Sequence, residues 1–328
     1  MDRAVRIALL AVTAVFATAA TAQAQAQYTR CENAGDATVV EVSVATCDEA
    51  RAVAATLATQ PAASSEAVLR ATGWSPLRAA ASQNATRYDL VAIRGHAALR
   101  LRRRGAAPDL DGWTAGRELV FARGRLVGGK PPPSGAALCT SAFLIQLGGR
   151  SGGLSAAHCG GTRRDGTTNR RNAALRRPPQ PGIVVGRVQR NVARSRPLDA
   201  LVLPVPSGAG RPSAAVVDRG VSRPPWFVAG SARPLLGRRI CFTGRTSGID
   251  NCGRIVRSYR GTRLPCTTIT GRQGDSGGPV YTAPAADGTV RAVGITTLVF
   301  GLLQKMCFTP LQPVLSALNA TLVTAAAG

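Results

Sequence analysis

The stretch Gly271-Arg272-Gln273-Gly274-Asp275-Ser276-Gly277-Gly278-Pro279 constrains this chain more than any other. A serine that attacks a carbonyl needs room above its Oγ, donors aimed at the developing oxyanion, and a base. Gly274 and Gly277 lack a Cβ, so the backbone there can turn tightly and come close to a substrate. Such a turn can point the amides of Gly274 and Ser276 into one spot, an oxyanion hole. Asp275 is not the acid of a proton relay. A carboxylate beside the serine is expected to be buried, and so to need a cationic partner.

The base has to come from elsewhere, and the chain has two histidines, His96 and His158. His96 falls in Arg94-Gly95-His96, between two alternating runs that read as a hairpin, with no nucleophile motif near it. His158 stands in Leu154-Ser155-Ala156-Ala157-His158-Cys159. The acid that orients it should be shielded on or near an apolar strand. Asp199 in Pro197-Leu198-Asp199-Ala200-Leu201-Val202-Leu203 fits, whereas Asp165 lies in an arginine-rich polar loop.

In that order, Ala-Ala-His-Cys, Asp-Ala-Leu-Val and Gly-Asp-Ser-Gly-Gly-Pro resemble the chymotrypsin-like (trypsin-like) serine proteases. Subtilisin-like and α/β-hydrolase enzymes order their triads differently. The resemblance covers roughly residues 126–324. It implies an all-β fold, two packed antiparallel β-barrels closed by a C-terminal helix. It implies peptide-bond hydrolysis through an acyl-enzyme, with His158, Asp199 and Ser276 catalytic, Gly274 and Ser276 at the oxyanion, and no metal or cofactor. The alternative is a non-catalytic secreted relative that binds peptides or anionic surfaces.

Further features resemble the bacterial branch, the α-lytic protease and streptogrisin group. Arg125 followed by Leu126-Val127-Gly128-Gly129 looks like a mature start, close before Cys139. Ile240 to Gly248, closing at Cys252, looks like that branch's second-barrel hairpin, which implies that Arg245 is the cationic partner of Asp275, the alternative being the amine of Leu126 freed by a cut after Arg125. Thr297 is expected to hydrogen-bond Asp199, and Thr270 and Val299 to line the specificity pocket. Beyond Asp250 the acids are Asp275 and Asp287, the latter at a hairpin tip. No carboxylate is left near Thr270, so cleavage after small or medium apolar residues is expected. The eight cysteines are an even set that favours disulfides. Proximity and the family pattern pair them as Cys31–Cys47, Cys139–Cys159, Cys241–Cys252 and Cys266–Cys307.

Residues 1–26 read as a secretory signal: Arg3 and Arg6, then an apolar run from Ile7 to Ala20, then Ala24-Gln25-Ala26. The mature chain has no run long enough to span a membrane, and is expected to be exported, extracellular or periplasmic, and monomeric. Residues 27–125 read as a small α+β pro-region or accessory module, and 126–328 as the protease domain. Within the module, Thr46 or Asp48 can cap a helix through about Leu57, with Ala50, Val53, Ala54 and Leu57 on one face. Ser64-Ser65-Glu66 starts a second short helical run.

The formal net charge is +24, and residues 126–328 hold 24 Arg and 2 Lys against 6 Asp and no Glu. This reads as an alanine- and arginine-rich composition, with affinity for anionic surfaces as the alternative. Aromatic residues are only 4% of the chain and no nucleic-acid motif appears, so no specific nucleic-acid partner is expected. Protein or peptide substrates are the expected partners.

Overall fold

A computed structural model describes residues 27–34, 37–61, 64–81, 86–105, 113–123, 136–161, 172–177, 180–191, 198–205, 215–258, 263–300 and 304–325. The expected signal segment 1–26 and the Leu126 terminus lie outside the described residues. Among these residues no helix is long and apolar enough to cross a membrane.

The second half closes on itself. Strands Pro279–Thr282, Arg239–Gly244, Gly248–Val256, Cys266–Thr270 and Lys305–Pro310 follow one another in the sheet. Thr289–Phe300 pairs with both ends of that series, which makes a closed six-stranded barrel. Ile240, Phe242, Val280, Val293, Met306 and Phe308 fill it, all fully buried. Closure leaves no unpaired edge, which suits a run of short strands.

The first half consists of two antiparallel sheets. One is ordered Gln180–Arg187, Asn172–Arg177, Glu118–Ala122, Ala137–Thr140. The other is ordered Arg190–Asn191, Leu201–Pro204, Arg150–Ser155, Leu144–Leu147, Ala320–Leu322. They share a core that includes Trp113, Leu119, Phe121, Leu144, Leu201 and Leu203. A second core joins the halves, with Phe143, Ile145 and Val202 packed in one cluster with Trp226, Tyr281, Ile295 and Val314.

Two boundaries differ from the sequence expectation. The division at 125/126 is not where the packing divides. Glu118–Ala122 pairs with Ala137–Thr140 on one side and Asn172–Arg177 on the other. Trp113 donates its Nε1–H to the Ala142 carbonyl at 2.9 Å. A Cβ on Gly153 would fall 2.3 Å from the Trp113 ring, so glycine there makes room for it. Residues 113–122 thus pack with the two sheets of the first half rather than with the N-terminal module. The tail Leu311 to Thr324 reads as one closing helix, but the helix runs only over Leu311–Leu318. Asn319, in the left-handed region at φ 50°, ends it, and Ala320–Leu322 becomes an edge strand.

Residues 27–105 fold as a five-stranded antiparallel sheet with helices Cys47–Ala58 and Ser65–Ala71. Thr46 caps the first helix in a reciprocal capping box with Glu49, and Ala50, Val53, Ala54 and Leu57 are buried. Arg87–Arg94 and Ala97–Arg104 form a hairpin about Gly95-His96. The module packs on the second half through one apolar cluster, Leu77, Val91 and Ala98 with Val216 and Phe227. The His96 ring lies 5.2 Å from that of Phe227. Arg78 Nη1 reaches both carboxylate oxygens of Asp218 at 3.0 Å. The four disulfides are Cys31–Cys47, Cys139–Cys159, Cys241–Cys252 and Cys266–Cys307.

Candidate active site

Antiparallel pairing brings the first two residues together. Arg150–Ser155 runs alongside Leu201–Pro204 with Ser155 opposite Leu201. The residues that follow the first strand therefore lie beside those that precede the second. His158 sits on a 3-10 turn, Ala157–Gly160, and Asp199 stands just before Leu201. Asp199 Oδ1 accepts from the His158 backbone amide at 2.9 Å, and Oδ2 lies 2.6 Å from His158 Nδ1. One carboxylate thus fixes both the loop and the ring. The His158 side chain is 47% exposed and that of Asp199 19%, so the outer face of the imidazole is open. The Cys139–Cys159 disulfide anchors the turn, and Cys159 Sγ lies 4.0 Å from His158 Nε2 and 3.8 Å from the Ser276 carbonyl oxygen. One sulfur atom therefore touches both the ring and the serine backbone.

Ser276 stands on a turn held from several directions. Asp275 N–H donates to Arg272 O at 3.1 Å, Gly277 N–H to Thr296 O at 2.7 Å, and Gly278 N–H to Asp275 O at 3.0 Å. Thr140, from the first half, latches it: its N–H donates to Ser276 O at 2.8 Å and its Oγ1–H to Gly274 O at 2.8 Å. Gly274 has φ +100° and Gly277 φ +87°. A Cβ on Gly277 would lie 2.2 Å from Ser155 Oγ and 2.4 Å from Thr140 O, so only glycine fits between the two halves. Among the described residues no acceptor takes the amides of Gly274 and Ser276.

Asp275 is fully buried, and its partners are not those expected. Its carboxylate accepts from the amides of Arg272 at 2.8 Å and of Thr246 and Ser247 at 2.9 Å each, and from Ser247 Oγ. The guanidinium of Arg245 turns away and pairs through Nε with Glu118. The hairpin Gly244–Gly248 does hold Asp275, but with its backbone. Three converging amides satisfy a buried carboxylate without a second charge to desolvate. Thr297 also differs. Its Oγ1 lies 2.7 Å from Thr309 Oγ1 and 3.1 Å from Ile295 O, and Thr309 Oγ1 accepts from the Asp199 amide at 3.2 Å. Among the described residues, Thr297 reaches Asp199 through Thr309.

Thr270 ends its strand exposed, its backbone opposite Lys305. Val299 pairs in register with Met306, and its side chain lies outside the described residues. Asp287 is held by its own turn: Oδ1 accepts from the Thr289 amide at 2.9 Å and from its hydroxyl at 2.7 Å. Thr140, Ser247 and Thr309 carried no sequence signal beyond their neighbours Cys139, Arg245 and Cys307. Among the described residues, no group of three or more His, Cys, Asp or Glu gathers to hold a metal ion.

The carboxylate-oriented histidine and the glycine-bounded serine turn thus meet at Cys159 Sγ. No family model matches the chain. It is 28% identical over 205 residues to Streptogrisin-C of Streptomyces griseus, a match covering 60% of this chain and 40% of that protein. The chain thus spans about 40% of the length of this curated relative. Among solved structures, Thermobifida fusca Protease A is 22% identical with a TM-score of 0.45, covering 66% of this chain and 98% of that one. Nocardiopsis protease is 22% identical with a TM-score of 0.44, covering 66% of this chain and all (100%) of that one.

Proposed function

We propose that this chain is an exported serine endopeptidase of the bacterial chymotrypsin-like type. The observation that carries the reading is the double contact of Asp199, to the backbone amide and to Nδ1 of His158. An Nδ1–H donated to that carboxylate leaves Nε2 as the base. His158 takes the proton of Ser276 Oγ as the bond to the substrate carbonyl forms, then delivers it to the leaving amine. Asp199 stabilises the imidazolium in between. The amides of Gly274 and Ser276 receive the oxyanion, each such donor contributing about 3 kcal/mol. Water then enters in place of the amine and the same groups release the acid.

Four disulfides suit an oxidising compartment, in keeping with export of the chain. The segment 27–125 is read as a pro-region or accessory module, with its strand Glu118–Ala122 packed into the neighbouring sheet. The preference is for small or medium apolar residues before the scissile bond. What supports this is the engagement elsewhere of both acids beyond Asp250: Asp275 under the serine turn and Asp287 with Thr289. Profiling on a peptide library tests both claims. The wild-type protein is expected to cleave after residues such as Ala, Val or Leu, and Ser276→Ala to lose all but a trace of the rate. A profile dominated by arginine contradicts the preference; full activity in Ser276→Ala contradicts the mechanism.

A further inference from the structure

The turn Arg233-Pro234-Leu235-Leu236-Gly237-Arg238-Arg239 joins strands Trp226–Ser231 and Arg239–Gly244, far in sequence from the triad. Leu235 is 53% exposed and Leu236 63% exposed; with Val44 they are the exposed large apolar side chains among the described residues. A single exposed leucine needs no explanation. Two in succession at the tip of an ordered turn are different, because the turn holds them out. Gly237 N–H donates to Ile255 O at 2.8 Å, Ile255 N–H to Arg238 O at 3.0 Å, and Arg238 N–H to Leu235 O at 3.1 Å. Arg254 Nη1 donates to Gly237 O at 3.0 Å. With its backbone pinned at these points, the turn cannot fold its leucines inward.

Cations surround the pair. Arg233, Arg238, Arg239 and Arg254 are exposed, and no acid pairs with any of them among the described residues. Arg239 and Arg254 stand directly opposite each other in antiparallel register. Like charges so placed repel and weaken a hairpin. Among the described residues beyond Asp218, no acid is left to supply a counter-charge. Beyond Asp218 the acids are Asp250, Asp275 and Asp287. Asp250 is taken by Arg219 at 2.8 Å, Trp226 Nε1 at 2.6 Å and Tyr281 Oη at 3.0 Å, and the other two are committed as described above.

The geometry points to this turn as a docking surface for an anionic lipid bilayer. Leu235 and Leu236 enter the boundary between headgroups and acyl chains, and the four guanidiniums sit on lipid phosphates. The phosphates relieve the Arg239–Arg254 repulsion and give the bidentate partner that guanidinium favours. A soluble polyanion would use the arginines but leave both leucines in water. The inference does not depend on peptide hydrolysis.

The test is co-sedimentation of the secreted protein with vesicles of phosphatidylcholine containing roughly 30% phosphatidylglycerol, against pure phosphatidylcholine, with heparin binding measured in parallel. Binding to the anionic vesicles that weakens with salt is expected, with little binding to the neutral ones. Leu235→Ser/Leu236→Ser is expected to lower vesicle affinity about tenfold while leaving heparin binding, thermal melting and peptide hydrolysis unchanged. Arg238→Gln/Arg239→Gln should lower affinity for both vesicles and heparin. Equal binding to both vesicle types, no binding to either, or wild-type vesicle affinity in the double-leucine variant would overturn the proposal.

Discussion

Asp275 and Asp218 are both buried carboxylates, and their surroundings are opposite. Asp275, under the Ser276 turn, meets three amides and a hydroxyl, all neutral and all within the second half. Asp218, where the N-terminal module meets the second half, meets the guanidiniums of Arg78 and Arg117 and the amide of Gly220. Burial pushes the Asp218 carboxyl up, but Arg78, then Arg117 and the Gly220 amide outweigh it and hold it below its usual range. The Asp275 carboxylate is thus satisfied within its own half, whereas the module's polar anchor at Asp218 is an ion pair. The first carboxylate is satisfied without an arriving charge. The second can be released by changing one charge.

Between these two carboxylates and their partners, the largest effect is expected at Asp275. In Asp275→Asn, an NH2 group faces amides that are themselves donors, so the turn must rearrange. A loss of about 3 kcal/mol, or about 100-fold in kcat/KM, is predicted from steady-state hydrolysis. A variant within a few-fold of wild type would mean that the turn keeps its shape without the carboxylate.

Arg78→Met comes next. It leaves Asp218 with Arg117, whose Nε is 3.7 Å away, and costs about 3 kcal/mol of docking stability, read as a lower denaturation midpoint. The pH dependence follows from the depressed Asp218. A group whose folded pKa lies below its unfolded value adds stability above the unfolded value and loses it as pH falls through the folded one. Wild-type stability should therefore fall on acidification below the ordinary carboxylate range, and the Arg78→Met profile should be flatter there. Parallel profiles would show that Arg78 does not hold Asp218.

The smallest effect is expected at Arg245, and it sharpens the contrast most. Its partner is Glu118, and Arg245 is 28% exposed. Arg245→Met should cost about 1 kcal/mol of stability and leave hydrolysis within about threefold. Loss of activity on the scale of Asp275→Asn would restore arginine as the support of the active-site turn.

The sequence was legible where signals are local. Thr46 with Glu49, Gly95 between alternating runs, and the glycines around Ser276 each lie within a few residues of what they determine. The disulfide pairs and the barrel class followed from the family likeness. What was missed depends on partners distant in the chain. Glu118–Ala122 looks like a module strand until its neighbours at Ala137–Thr140 and Asn172–Arg177 are seen. The sequence pairs Arg245 with Asp275 only on the family resemblance, and amides aimed by a hairpin are not visible in a sequence. Thr309, which carries the link from Thr297 to Asp199, lies 110 positions from that aspartate.

The central claim is that His158, oriented by Asp199, activates Ser276. Reaction with a fluorophosphonate, mapped by mass spectrometry, tests it most directly. A single covalent adduct on Ser276 is predicted, with Asp199→Asn slowing labelling by about 10⁴-fold while the fold persists. A folded wild-type protein that takes no label at Ser276, or an Asp199→Asn variant that labels at the wild-type rate, would contradict the account.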